Sequence, residues 1–117
     1  MPEQEKSLDD AELERARQFL RQRAEYYAVR RAEGFAAIEV IIMDMVALGH
    51  LESRPFDESS LAAAMEMPRT TIISYVRNLA RIGWIQKRRR GRRSLLFIQE
   101  TRMESFLRPT CRAFLTH

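Results

Sequence analysis

The sequence predicts a mainly α fold with one small β-hairpin (α+β), and three observations predict it. Residues 8–33 hold neither proline nor glycine and repeat apolar residues at three- and four-residue steps. Between Arg69 and Ile82, apolar and polar-basic positions separate onto opposite faces of a helix. Two strand-like runs then flank Arg90-Gly91-Arg92, the composition of a tight turn.

Length and composition set the frame. At 117 residues the chain fits one domain with a single core, and its 45% hydrophobic and 31% charged residues are those of a globular protein. The net charge of +4 is modest, but its distribution is not. Nine of the 20 Lys and Arg lie between Arg69 and Arg93, and no Asp or Glu lies between Glu66 and Glu100. A contiguous basic, acid-free segment is a surface for a polyanion.

Other classes are disfavoured. One cysteine, Cys111, excludes an intramolecular disulfide, and with only His50 and His117 beside it no metal site or other cofactor is expected. No Ser/His/Asp, Cys/His or Gly-rich phosphate loop stands at useful spacing, so no enzyme is expected. Cys111, among apolar neighbours, reads as structural filler rather than a redox switch. The Met1-Pro2-Glu3-Gln4-Glu5 start has no signal core, and the apolar run Phe35–Leu48 falls short of the ~20 residues a membrane span needs. A cytoplasmic protein without membrane contact is expected.

In chain order, residues 1–7 read as a frayed tail. Ser7 or Asp9 caps a first helix over 8–33, whose apolar stripe is Leu13, Ala16, Leu20 and Tyr27, with Phe19 and Tyr26 beside it. The remaining face is rich in Arg and Glu, among them Arg17, Arg21, Arg30 and Arg31. A helix this long exceeds what a small core needs, so its narrow stripe is a candidate contact with a second subunit. The alternative is a long surface helix on its own domain.

The core of the domain is expected over 35–98. Gly34 breaks the chain before a helix from Phe35 to Leu48, apolar nearly all round, and Gly49 is placed for its C-terminal cap. His50 reads as a surface or capping residue. Ser59 or Ser60 caps a short third helix, Leu61–Met65, and the next helix begins almost at once after Pro68. Two helices joined by so short a turn make a helix-turn-helix. In the fourth helix, Ile72, Tyr75, Val76, Leu79 and Ile82 form the core face. Thr70, Ser74, Arg77 and Arg81 face outward, with Arg69 and Asn78 at the edges. That outer face mixes side chains able to bond base edges and phosphates, whereas an ordinary solvated face mixes Glu with Lys or Arg.

After Gly83, Trp84-Ile85-Gln86-Lys87 reads as a strand, and Leu96 and Ile98, or Leu95 and Phe97, alternate in a second. Trp84, Leu96 and Ile98 are candidate anchors. Lys87, Arg88, Arg89, Arg90, Arg92 and Arg93 crowd the hairpin tip, where self-repulsion calls for phosphate or counterions. Arginines at such a tip suit the narrow minor groove; a nonspecific basic loop is the plainer alternative. A last helix is expected over 101–116, with Met103, Phe106, Leu107, Cys111, Phe114 and Leu115 apolar and Pro109 kinking or dividing it. Pairing of the two terminal helices, within or between subunits, accounts for these aromatics.

From Leu61 to Ile98 the chain resembles the winged helix-turn-helix regulators of the multiple-antibiotic-resistance (MarR) type. The residues that carry the resemblance are Leu61-Ala62, Arg69-Thr70-Thr71-Ile72, Leu79, Gly83-Trp84-Ile85 and the Arg-rich wing. The chain departs from the pattern at three places. Glu66 stands where the bend usually has glycine, Pro68 where a small polar residue starts the recognition helix, and Gly91 where an acidic residue usually pairs with a wing arginine. The last change is expected to leave Arg93 freer. In that family the N- and C-terminal helices intertwine into a dimer, which implies a homodimer here. Nothing in the sequence supports a small-molecule effector.

The function expected is that of a sequence-specific regulator of transcription bound to double-stranded DNA. Arg77, Arg81, Ser74 and Asn78 are the candidate base readers in the major groove, with Arg69, Thr70 and Thr71 near phosphates. Lys87, Arg88, Arg89, Arg90, Arg92 and Arg93 lie at the minor groove or phosphates. The alternative from another class is a winged-helix accessory or protein-interaction module without operator specificity.

Overall fold

The computed structural model of the chain describes residues 7–114. Leu115, and the first six residues of the expected tail, lie outside the described residues. The order of elements is α1 (Asp10–Ala32), α2 (Ala37–Leu51), α3 (Glu58–Met65), α4 (Arg69–Arg81), β1 (Ile85–Arg90), β2 (Arg93–Ile98) and α5 (Glu100–Phe114). This is the mainly α architecture with a small β-hairpin that the periodicities predict.

Of the two candidates for the α1 cap, Asp9 takes the role: its carboxylate accepts the Glu12 N–H, and Glu12 returns the bond to the Asp9 N–H. The chain then turns at Gly34, at φ +97°, a left-handed conformation that suits glycine. Phe35 is buried but precedes α2, stacking on Trp84 with ring centroids 5.1 Å apart.

The central helix, α2, runs past the expected cap. Gly49 lies inside it, and the chain leaves the helix through Glu52 and Ser53, the latter at φ +57°. Gly49 is required for space: a Cβ there would sit 2.9 Å from the Arg54 carbonyl oxygen and 3.0 Å from the Phe56 ring. One face of α2 also stays open at Ile41, Leu48 and Leu51, so the helix is not buried all round.

Around α2 the core gathers Val40, Met43 and Val46, Leu61 from α3, Ile72, Val76 and Leu79 from α4, and Ile85, Leu96 and Ile98 from the hairpin. Truncating such a side chain to alanine typically costs about 2–5 kcal/mol. Ile82, expected on this core face, is 43% exposed, because α4 ends at Arg81 and Ile82 is its C-cap. Tyr75 is only half-buried. The cap of α3 is Asp57 rather than Ser59 or Ser60, and Ser60 is its partner in the capping box.

The two strands pair antiparallel, Ile85 opposite Ile98 and Arg90 opposite Arg93, closed by the two-residue turn Gly91-Arg92. Gly91 sits at φ +62°, the positive φ that such a turn demands at its first position. Neither alternation alone describes β2, since Leu95, Leu96, Phe97 and Ile98 are all buried. Leu96 and Ile98 enter the core. Phe97 lies under the His50 ring and the Arg88 guanidinium, with centroid distances of 5.0 and 4.6 Å. The second edge of β2 is covered too: Leu96 N–H donates to the Phe56 carbonyl (2.8 Å) and Ile98 N–H to His50 Nδ1 (3.2 Å). Burial, and then the nearby Arg88 charge, hold the His50 pKa below its ordinary value and favour the neutral ring this bond needs.

The terminal helices pair within the chain. Phe114 of α5 packs between Phe19 and Tyr26 of α1, at 6.4 and 5.7 Å. Pro109 does not divide α5, which is a single helix from Glu100 to Phe114. Cys111 is exposed on it, not buried as filler.

The largest departure from expectation is Arg30. A charged side chain in an Arg- and Glu-rich helix is expected in water, yet Arg30, four residues after Tyr26 and so on its face, is wholly buried. Its guanidinium donates to the Tyr26 hydroxyl (3.0 Å), to Glu33 (3.0 Å) and to the Phe106 carbonyl, and stacks 3.8 Å from the Phe106 ring centroid. Tyr26 in turn donates its hydroxyl to Asp44 of α2. Burial, then the Asp44 carboxylate, push the Tyr26 pKa up to about 12, and burial raises that of Asp44. One arginine thus joins α1, α2 and α5 through a satisfied polar network.

Candidate nucleic-acid interface

The interface is built on the turn between α3 and α4. Three residues separate the helices: Glu66, Met67 and Pro68. Glu66 adopts φ +53°, ψ +44°, so the left-handed bend exists without glycine, at a typical cost of about 1 kcal/mol or more. The Met67 N–H closes the turn on the Ala62 carbonyl at 3.0 Å. Pro68 is the N-cap of α4, where its missing N–H is no loss and its restricted φ of −58° starts the helix.

With Ile72, Val76 and Leu79 buried, geometry turns Arg69, Thr70, Ser74, Arg77 and Arg81 outward, and all five are exposed. Thr71 is half-buried. Asn78 is half-buried as well and engaged at both ends: its Nδ2 donates to Glu39 (3.3 Å), and its Oδ1 accepts from Arg81 (2.7 Å). Glu39 also caps α2 by accepting the Ala36 N–H (2.9 Å). Asn78 therefore ties α4 to α2 and steadies Arg81.

The six basic residues of the wing divide in the same way. Lys87 reaches Glu58 (3.4 Å), Arg88 reaches Glu100 (2.9 Å), and Arg93 reaches Asp57 (2.9 Å). Arg93 is thus not freed by the glycine at position 91, because Asp57, the N-cap of α3, supplies the partner that the wing tip lacks. That carboxylate is held well below its usual range, at about 2, first by the Ser60 N–H it accepts and further by Arg93. Asp57 was legible as a cap: an acid three residues before Ser60 is the capping-box spacing. Its second role, holding the wing, has no local sequence signal.

Arg89, Arg90 and Arg92, with Arg69 and Arg77 on α4, make no side-chain hydrogen bond or ion pair among the described residues. The surface therefore combines five unpaired guanidinium groups with paired Lys87, Arg88 and Arg93. Solvent-exposed pairs of this kind are worth about 0–1 kcal/mol, so a phosphate can displace them at little cost. Among the described residues, no group of three or more His, Cys, Asp or Glu is placed to hold a metal, and no single helix is long and apolar enough to cross a membrane.

No protein-family model matches the chain, and no curated protein matches it. Solved structures do resemble it. The transcriptional regulator Tm0710 from Thermotoga maritima superposes with a TM-score of 0.69 at 17% identity, over 86% of this chain and 70% of that one. Reduced HlyU from Vibrio cholerae gives 0.57 at 12% identity, over 83% and 97%. The homodimeric winged helix-turn-helix DNA-binding domain of Mb0332 from Mycobacterium bovis, a possible ArsR-family transcriptional regulator, gives 0.55 at 20% identity, over 97% and 95%. At these identities the likeness concerns the fold. That fold is the winged helix-turn-helix, with α3 and α4 as the paired helices and β1–β2 as the wing.

Proposed function

We propose that the protein is a dimeric, sequence-specific regulator of transcription that binds double-stranded DNA in the cytoplasm. The observation that carries this reading is the acid-free stretch from Met67 to Gln99, whose unpaired arginines line one helix face and one hairpin tip. α4 enters the major groove with Arg77, Arg81 and Ser74 as base readers, and Arg69 and Thr70 near phosphates. Arg89, Arg90 and Arg92 supply the salt-sensitive contacts at the minor groove or backbone. That solved transcriptional regulators share the fold supports a DNA-binding regulator.

Dimerisation through α1 follows from its open apolar residues. Leu13 and Leu20, two turns apart on one face of the helix, are 46% and 53% exposed, an apolar patch that a second subunit would cover. The α1–α5 pairing within the chain leaves this face of α1 open, and the homodimeric state of the Mb0332 domain gives a precedent within the fold. Sedimentation should give a dimer, and Leu20→Glu, at an already exposed site, should give a folded monomer. A monomeric parent chain would remove the two-fold part of the reading.

The experiment for binding itself is a titration of labelled duplex by anisotropy at several salt concentrations, with random duplex and RNA as competitors. A regulator should prefer its selected duplex and show a steep salt dependence. Equal competition by RNA and random duplex would point to an accessory factor without operator specificity.

A further inference from the structure

Beside the wing lies an open cleft of about 590 Å³ that shares Arg90 with the interface above and reaches beyond it. It is lined by the Ser53–Phe56 turn, Ser60, and Arg90, Arg93 and Leu95 of the hairpin. Arg54 stands outside every segment assigned to DNA above. We propose that this cleft is a phosphate site, with Arg54, Arg90 and Arg93 as its cationic walls, extending the interface to a backbone phosphate beside the wing.

The first support is charge. Three arginines line one cleft and no carboxylate is among its lining residues, so the cleft presents a concave surface of one charge sign to an anion. Arg90 and Arg93 are also direct cross-strand partners, a like-charge pairing that disfavours the hairpin unless it is compensated. Asp57, at the edge, compensates in part: it engages only Nε of Arg93, leaving the rest of that guanidinium available. Arg54 and Arg90 have no side-chain partner among the described residues. Guanidinium groups match phosphate oxygens in planar, two-bond geometry.

The second support is rigidity. Arg54 lies on a turn anchored at both ends. Its N–H donates to the Gly49 carbonyl (2.9 Å), and its own carbonyl occupies the space left by the missing Gly49 side chain. Ser53 holds a left-handed φ of +57°, an unfavourable state that persists only when surroundings impose it. Two residues on, the Phe56 carbonyl accepts the Leu96 N–H of β2 (2.8 Å). The backbone of the turn is thus bonded to α2 on one side and to β2 on the other, which fixes where Arg54 starts relative to the wing.

The duplex arm of the test rests on the proposed DNA-binding role; the second arm does not. Arg54→Gln and Arg54→Lys are titrated with selected duplex across a range of salt, and separately with inorganic tripolyphosphate by calorimetry. For Arg54→Gln the slope of log affinity against log salt should fall by about one unit, with affinity down roughly threefold or more, and Arg54→Lys should restore the slope. An unchanged duplex slope with tripolyphosphate binding lost would make the occupant a free polyphosphate and retain the site. If both ligands bind Arg54→Gln like the parent, the cleft is no phosphate site. Should the parent chain bind no duplex at all, the regulator reading fails, and the tripolyphosphate arm alone decides the cleft.

Discussion

Arg30 and Arg77 carry the same side chain and do opposite work. Arg30 is completely buried, and its donors are taken by Tyr26, Glu33 and Phe106. Arg77 is exposed on α4 and bonds nothing among the described residues. A guanidinium removed from water must satisfy its hydrogen bonds at once, so Arg30 is fixed and serves the fold. One left in water keeps its donors for an incoming anion. The difference separates a structural half, in which α1, α2 and α5 are joined, from a binding half with its cations facing outward.

The comparison breaks most visibly at Arg30. Arg30→Met should destabilise the chain by about 3–5 kcal/mol in urea unfolding, because Glu33, Tyr26 and the Phe106 carbonyl lose their shared partner. Any loss of DNA binding should track the loss of folded protein. An unchanged unfolding midpoint would mean that the network contributes nothing net.

Arg77→Ala should do the reverse. Stability should stay within about 0.5 kcal/mol of the parent, since the site is exposed and unpartnered. Preference for the selected duplex over random duplex should shrink by ~1–3 kcal/mol, the value of a two-bond contact to guanine. Arg89→Ala is the milder case: affinity for selected and random duplex should fall alike, and the salt slope should drop by about 0.9. If Arg89→Ala altered sequence preference and Arg77→Ala did not, the roles of helix and wing would be exchanged.

A pH measurement sharpens the contrast between two aspartates. Asp57 has its folded pKa lowered from 3.8 to about 2, so its contribution is present above the unfolded value and fades as pH falls toward 2. Asp44 is raised by burial, so the stability linked to its bound proton is present at low pH and lost as pH rises through the folded value. Asp57→Asn keeps a capable cap and should flatten the acid limb of stability below about pH 4. Asp44→Asn should remove the opposing slope. Identical acid limbs in the parent and Asp57→Asn would show that the Arg93 pair and the charged cap add no stability.

The binding half was largely legible in the sequence because its signals are local. Helical spacing separated Ile72, Val76 and Leu79 from Arg77 and Arg81, and Gly91 placed the turn. The structural half was less legible because its partners are distant in sequence. Arg30 is read with the charged residues of α1 by side-chain type, although it stands four residues after Tyr26 on the same face, and its acceptor at Phe106 lies 76 residues away. Arg93 likewise finds Asp57 36 residues earlier, a pairing that no local pattern announces. Gly49 resembles a helix cap in sequence, and only the approach of Arg54 and Phe56 explains its place within α2.

The central claim is that the outward arginines read a sequence through a two-fold dimer. Selection of bound fragments from a genomic duplex pool by the purified protein tests it most directly. The account predicts an enriched near-palindromic consensus with half-sites about one helical turn apart, roughly 34 Å. Bound fragments with no enrichment over the input pool would contradict it.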